Sequence, residues 1–403
     1  MTADHARRAR AAMQRLLLGC ADTAPADLPL LASDAADILG AGSVRMYLVD
    51  YAQTFLTPFT AGGTPVAVPP ADRVSIDGTL AGRAYALCEP TETPGNGGAH
   101  RTYLPMTDCG HRVGVLEVVS PSALADADRE VLAAMATLLA QLVATRRLYG
   151  DAIEHLRRGL PMQLATEIVW SLLPPLTLTT PEAEVTGILE PCYEVGGDAF
   201  DYAVGDGMLH VALFDAVGHG IGASAMTTMA VNAYRNARRC GLDLFDTCRS
   251  IDKWLRAQYP DQFVTAVLAE LVLKTGVLRT ISAGHPGGLL LRDGQRVKDL
   301  PAPTGMPLGL GTLVGDGPEI VEEALEPGDH VLFYTDWVIE ARSADGEFFG
   351  RQLLVDFVVR TLADRVPAPE TMRRLVRAIL DYQHEQLQDD ATAVLLGWSG
   401  RIG

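Results

Sequence analysis

Phe200–Ala230 reads FDYAVGDGMLHVALFDAVGHGIGASAMTTMA, and the organisation of the chain turns on it. Phe200–Val204 and Met208–Asp215 read as strands. Gly205-Asp206-Gly207 between them supplies the positive φ angles of a tight hairpin turn. The apolar strand ends on Asp215, the Gly218-His219-Gly220 turn starts a helix, and small residues carry that helix over Ile221–Ala237. The same grammar extends in both directions. Glu184–Leu189 alternates ahead of the hairpin, and a second helix over Leu242–Gln258 follows it. FVTAVLAELVL turns at Lys274-Thr275-Gly276 into VLRTISAG, another strand pair turns at Asp293-Gly294, and HVLFYTD (His330–Asp336) is a further strand. Helices are expected near Arg351–Leu362 and Glu370–Gln386, with DATAVLLGW (Asp390–Trp398) as the closing strand. Antiparallel strands with two inserted helical pairs predict an α/β sandwich of packed sheets flanked by helices.

Upstream, the region to about Leu148 mixes helices and strands. Val44–Asp50, Arg101–Met106 and Arg112–Ser120 are its strand candidates, and a short helix is expected near Leu80–Leu87 within a Gly-, Pro- and Thr-rich stretch. A long helix then opens on Asp126 and Asp128, whose charges suit its dipole. Val131, Met135, Leu138 and Leu142 form its expected apolar stripe. Tyr149–Leu176 is a connector, broken at Gly159 and Pro161, with a stripe at Leu164, Ile168 and Leu172 ended by Pro174-Pro175.

A chain of 403 residues suits two domains and a connector. The net charge of −17 disfavours nucleic acid and anionic membranes as partners. No apolar run approaches the ~20 residues of a bilayer span, and Leu16–Leu18 is too short for a signal-peptide core, so a cytoplasmic setting is expected. The six cysteines form no CxxC pair and read as buried, reduced thiols.

Aspartates recur at strand mouths: Asp215 after HVALF, Asp336 after HVLFYT, and Asp389-Asp390 before ATAVLLGW. A carboxylate in such a place is costly unless neutralised. Asp198 follows Gly196-Gly197, where glycines permit close backbone approach. A cluster of this kind suits a hard divalent cation with oxygen ligands. A lone aspartate at a strand end is more often a turn former or helix cap, and Asp201 and Asp206 are assigned that role.

Seven segments, in order, resemble the metal-dependent protein phosphatase (PPM, protein phosphatase 2C-like) family in its bacterial SpoIIE-type branch. They are EVGGDAFDY (Glu194–Tyr202), FDAVGHGIGASAMTTMA (Phe214–Ala230), TISAGHPGGLLLR (Thr280–Arg292), GMPLGLG (Gly305–Gly311), FYTDWVIEAR (Phe333–Arg342), GEFFG (Gly346–Gly350) and DDATAVLL (Asp389–Leu396). The resemblance implies an α-β-β-α sandwich and hydrolysis of a phosphoserine or phosphothreonine protein by water activated between two Mn²⁺ or Mg²⁺ ions. It makes Asp215 the bridging ligand, assisted by the Ala216 carbonyl. It gives Asp336 and Asp389 to one metal and makes Asp198 the holder of metal-bound water. Asp390, directed to the opposite strand face from Asp389, ranks behind it. His219 is assigned either a substrate or solvent contact or a capping or packing role. Trp337 stands where this branch usually has glycine, which raises the alternative of a degenerate phosphatase fold that binds a phosphoprotein, or serves as a sensor, without hydrolysis.

Pro25–Leu148 resembles a GAF domain, through SVRMYLVD, VSIDGTLAGRAYALCEP (Val74–Pro90), RTYLPM, HRVGVLEVVS and the long helix after them. That implies a sensor module, with a small-molecule ligand or a purely packing role. The overall expectation is an α+β chain with an N-terminal helix (1–24), a GAF-like sensor domain (25–148), a helical connector or switch (149–176) and a SpoIIE/PPM-type phosphatase domain (177–400). The implied partners are a phosphoprotein, such as an anti-sigma-factor antagonist, and a second copy of the chain.

Overall fold

The computed structural model describes residues 3–62, 70–95, 98–190, 193, 196–292, 294–303, 305–311, 318–336, 338, 341, 348–383 and 390–400. The chain forms two compact units, Met1–Pro161 and Met162–Gly403. The boundary falls inside the expected connector. Helix Ala152–Arg157 buries Ile153 and Leu156 in the core of the first unit, whereas helix Leu164–Leu172 packs on helix Gly220–Arg239 of the second. The stripe expected on the latter is rotated. Ala165, Thr166 and Val169 are buried and Leu164 is exposed, because the small faces of the two helices meet.

The first unit is built on a six-stranded antiparallel sheet in the spatial order Val74–Ser75, Phe55–Phe59, Ser43–Val49, His111–Ser120, His100–Asp108, Thr91–Pro94. Strand side chains alternate between faces. Met46, Leu48, Leu116 and Val118 accordingly join helices Ala3–Gly19, Leu28–Leu39 and Asp126–Arg146 in one core, while Tyr47, Val49 and Val115 join Tyr85 of helix Leu80–Leu87 in another. On the long helix the buried residues are Leu132, Met135, Ala136, Leu139, Ala140, Leu142 and Val143, so the expected stripe is displaced by about one residue. Asp126–Tyr149 is long and apolar enough to cross a membrane by length and composition, contrary to the expectation from sequence; one of its faces lies in this core.

The second unit is a four-layer α-β-β-α sandwich. One sheet runs Val321–Ala324, Val277–Ala283, Val264–Val272, Met208–Ala216, Asp198–Gly205, covered by helices Gly220–Arg239 and Leu244–Gln258. The other runs Gln295–Asp299, Leu289–Arg292, His330–Tyr334, Ala391–Trp398, Ala183–Glu190, Thr177–Thr179, covered by helices Gly350–Ala363 and Ala368–Tyr382. ATAVLLGW is apolar without a break because both its faces are buried. Val394, Leu396 and Trp398 enter the core shared with the first sheet, and Ala391, Ala393 and Leu395 meet the outer helices. The hairpin that opened the reading is a two-residue turn, with Gly205 paired to Met208 and positive φ at Asp206 and Gly207.

Two further sequence expectations need correction. Among the described cysteines only Cys248 is buried, while Cys109 and Cys240 are exposed on turns. Asp201 is no turn residue. It lies buried in mid-strand, where Arg235 and Arg238 hold its two oxygens at 2.7 and 2.9 Å.

Candidate functional site

Strands Asp198–Gly205 and Met208–Ala216 pair so that Asp198 lies directly opposite Asp215. By strand alternation both share the face of Phe200 and Leu213, toward the second sheet. The pair therefore sits at one end of the space between the sheets, just where the Met208–Ala216 strand gives way to the Val217–His219 turn.

The second sheet supplies the support. The Thr335 hydroxyl donates to Asp198 Oδ2 at 3.1 Å, and the Thr392 amide donates to Thr335 Oγ1 at 3.0 Å. Asp390 reaches across to the first sheet, where its Oδ2 accepts the backbone N–H groups of Gly196, Gly197 and Asp198 at 2.9, 2.6 and 3.2 Å. Three converging N–H donors suit an ionised carboxylate. The Gly197 carbonyl in turn accepts from the Ala216 amide at 3.2 Å and from the Thr227 hydroxyl. A Cβ on Gly197 would stand 2.8 Å from the Ala216 carbonyl oxygen, and one on Gly196 2.5 Å from the Gly220 amide. Only glycines let this segment lie against the Ala216–Gly220 turn.

Burial, then the charges of Asp215 and Asp390, push the Asp198 carboxyl well above the ordinary carboxylate range, against the pull of the Thr335 hydroxyl. Asp198 is 2% exposed, so the crowding is not relieved by water. Asp215 is half-buried and accepts from Thr265 Oγ1 at 3.4 Å. Asp336 is exposed, one residue beyond Thr335, and partial desolvation raises its carboxyl.

The structure thus joins Asp198 to Asp215, sets the buried Ala216 beside them, and, among the described residues, ties Asp336 to them through its neighbour Thr335. Asp389 and Trp337 lie outside the described residues. Among the described residues no group of three or more carboxylate, imidazole or thiol side chains is gathered closely enough to hold a metal ion. The donors that are present are all oxygens, crowded and short of positive charge, which fits a hard divalent cation. His219 occupies the N-cap position of helix Gly220–Arg239, is exposed, and makes no capping bond through its side chain. Sequence reasoning missed Thr335 and Thr392 as supports and Asp390 as a backbone anchor. Their signal was a threonine close to an aspartate in both segments, adjacent in YTD and two places on in DAT.

Residues 205–399 match the family model described as Stage II sporulation protein E (SpoIIE). Among curated proteins, the chain is similar to Protein IcfG of Synechocystis sp. (strain ATCC 27184 / PCC 6803 / Kazusa), at 23% identity over 229 residues, covering 49% of this chain and 35% of that protein. It is also similar to Phosphoserine phosphatase RsbU of Bacillus subtilis (strain 168), at 24% identity over 258 residues, covering 62% and 75%. The chain thus spans about a third of IcfG. Among solved structures it resembles the SiaA-PP2C domain of Pseudomonas aeruginosa, with a TM-score of 0.49 and 21% identity over 58% of this chain and 94% of that one.

Proposed function

We propose that this second unit, which carries a SpoIIE-family domain, is a metal-dependent protein serine/threonine phosphatase. The observation that carries the reading is the Asp198–Asp215 pair: two carboxylates in register, one forced toward protonation unless a cation shares the space. Asp215, the Ala216 carbonyl, Asp336 and Asp389 would hold two Mn²⁺ or Mg²⁺ ions. When bound, such ions lower the pKa of a water and polarise phosphoryl oxygens. The protein's own groups position the reaction. Thr335 orients Asp198, which accepts a hydrogen bond from the attacking water, and Asp390 fixes the backbone that carries Asp198.

In this reading the substrate is a phosphoprotein, such as an anti-sigma-factor antagonist, and the setting is cytoplasmic. The first unit is a GAF-like sensor, with a small-molecule ligand, that regulates the second within a homodimer. Helix Leu164–Leu172 carries the regulation. Its last carbonyl, of Leu172, accepts from Arg235 Nη2 at 2.7 Å, which fastens it to the helix that starts at the site.

The test is hydrolysis of p-nitrophenyl phosphate and of a phosphoserine peptide, with Mn²⁺ and with chelator. Asp215→Asn is expected to keep the fold and abolish turnover at limiting Mn²⁺. Wild-type rates in that variant would remove Asp215 from the chemistry. Phosphopeptide binding without hydrolysis by the wild-type protein would support the degenerate, binding-only alternative.

A further inference from the structure

At the far end of the Asp198–Gly205 strand from the carboxylate pair, an open groove of about 390 Å³ lies between that strand and the last turns of helix Gly220–Arg239. Its volume falls within the usual range for small-ligand sites. Arg235, Arg238 and Arg239 line it, with His210, Pro174 and the rim residue Asp206. We propose that this groove is a binding site for a small anionic ligand bearing a phosphate group, separate from the catalytic carboxylates.

The charge inventory is the first argument. Arg235 and Arg238 converge on one buried carboxylate, Asp201, through three hydrogen bonds of 2.7–3.1 Å. One negative charge cannot neutralise two guanidinium groups. Arg239 is exposed and has no ion-pair partner among the described residues. The dipole at the helix C-terminus offsets roughly half a charge, and Asp206 stands out on the exposed turn. The lining thus carries three guanidinium groups against the carboxylates of Asp201 and Asp206, with Glu270 held behind His210.

Unused hydrogen-bonding capacity is the second argument. Arg235 and Arg238 spend Nε and Nη2, and Nη2 alone, on Asp201, while Arg235 also reaches the Leu172 carbonyl; their Nη1 groups make no hydrogen bond. Arg238 Nε is buried with no acceptor, and His210 Nδ1, 3.5 Å from Glu270 Oε1, is buried without a hydrogen bond. Asp201 and the stacking of Arg238 over Tyr234, 4.7 Å from the ring centroid, hold the guanidinium planes in place before any ligand arrives. Preset guanidinium donors with one edge free match the oxygens of a phosphate.

The experiment is calorimetric titration of the full chain in excess chelator, so that no metal can hold phosphate at the carboxylates. Inorganic phosphate is one probe and glycerol 3-phosphate the other. Saturable binding is expected for at least one, and the tighter probe tells whether free phosphate or a phosphomonoester is the better ligand. Arg239→Glu should weaken it by about ten- to a hundredfold, the equivalent of one charge-assisted hydrogen bond. Arg239→Ala should weaken it in the same direction. Arg249→Glu makes the same change in net charge on helix Leu244–Gln258, outside the groove, and should leave it unchanged. No saturable binding of either probe, or equal weakening by Arg249→Glu, would overturn the proposal.

Discussion

Asp390→Asn separates a backbone anchor from a mere neighbour of the site. The wild-type carboxylate accepts three backbone N–H groups through a single oxygen. A hydrogen bond to a charged acceptor contributes about 1.5–3 kcal/mol and a neutral one about 0.5–1.5, so the amide forfeits about 1 kcal/mol per bond and about 3 in all. Part is recovered, because Asp390 is one of the two charges that crowd Asp198. The net cost is about 2 kcal/mol, which for a unit of this size lowers Tm by roughly 4–8 °C. Asp390→Ala removes the acceptor altogether, leaves buried donors unsatisfied, and should cost more. Metal-free thermal unfolding measures the first effect. Mn²⁺ titration measures the second, an affinity loss in both variants as the Gly196–Asp198 segment loosens. An Asn variant with wild-type Tm and wild-type Mn²⁺ affinity would show that the charge on Asp390 holds nothing, and the account of the site would fall with it.

Three further outcomes are expected. A chain beginning at Met162, the first residue of the second unit, should retain divalent-metal binding by calorimetry, since every proposed ligand lies within it; a folded fragment that binds none would place ligands in the first unit. Trp337→Gly should raise kcat/KM toward a phosphoprotein more than toward p-nitrophenyl phosphate, on the expectation from sequence that a large ring after a metal-binding aspartate hinders a large substrate more than a small one; equal rates for variant and wild type on both would remove Trp337 from the site. His285, 5% exposed with Nδ1 held 3.0 Å from the Pro286 carbonyl, is pushed by burial from 6.5 down to about 4. The unfolded chain gains that proton first as pH falls, so wild-type stability should drop by roughly 3 kcal/mol between about pH 6.5 and 4. His285→Asn should flatten that limb in chemical denaturation at stepped pH, and an unchanged slope would assign the loss to other groups.

The fold was largely legible because the second unit follows local rules. The Asp206-Gly207 turn, the unbroken apolar run of Ala391–Trp398 and the small-residue helix after Asp215 each announce their structure without reference to partners. The helix stripes were misplaced for a complementary reason. Which side of Leu164–Leu172 is buried depends on Gly220–Arg239, and a short, mostly apolar helix offers more than one face. In the site, Asp215 and Asp198 stood out because each follows a strand or glycine signal of its own. Thr335 did not, and Asp390 stood out only as a lesser ligand candidate, since their supporting roles exist only once the second sheet covers the first. Asp201 was misread for the same cause: its partners lie on a helix 34 and 37 residues further on.

The bond from Asp390 to the Gly196 amide joins residues 194 positions apart. On a growing chain, that separation is an interval of time. At about 5–20 residues per second, the hairpin carrying Asp198 and Asp215 is complete for roughly 9–35 s before the residue that secures it has been synthesised. During that interval the second sheet lacks its Ala391–Trp398 strand and the pair lacks its Asp390 anchor, and Gly196-Gly197 are free to sample conformations closed to them later. The supports of the carboxylate pair, on this geometry, are complete only with the strand that begins at Ala391. A nascent chain short of that strand would hold the two carboxylates without Asp390 and Thr392 to brace them.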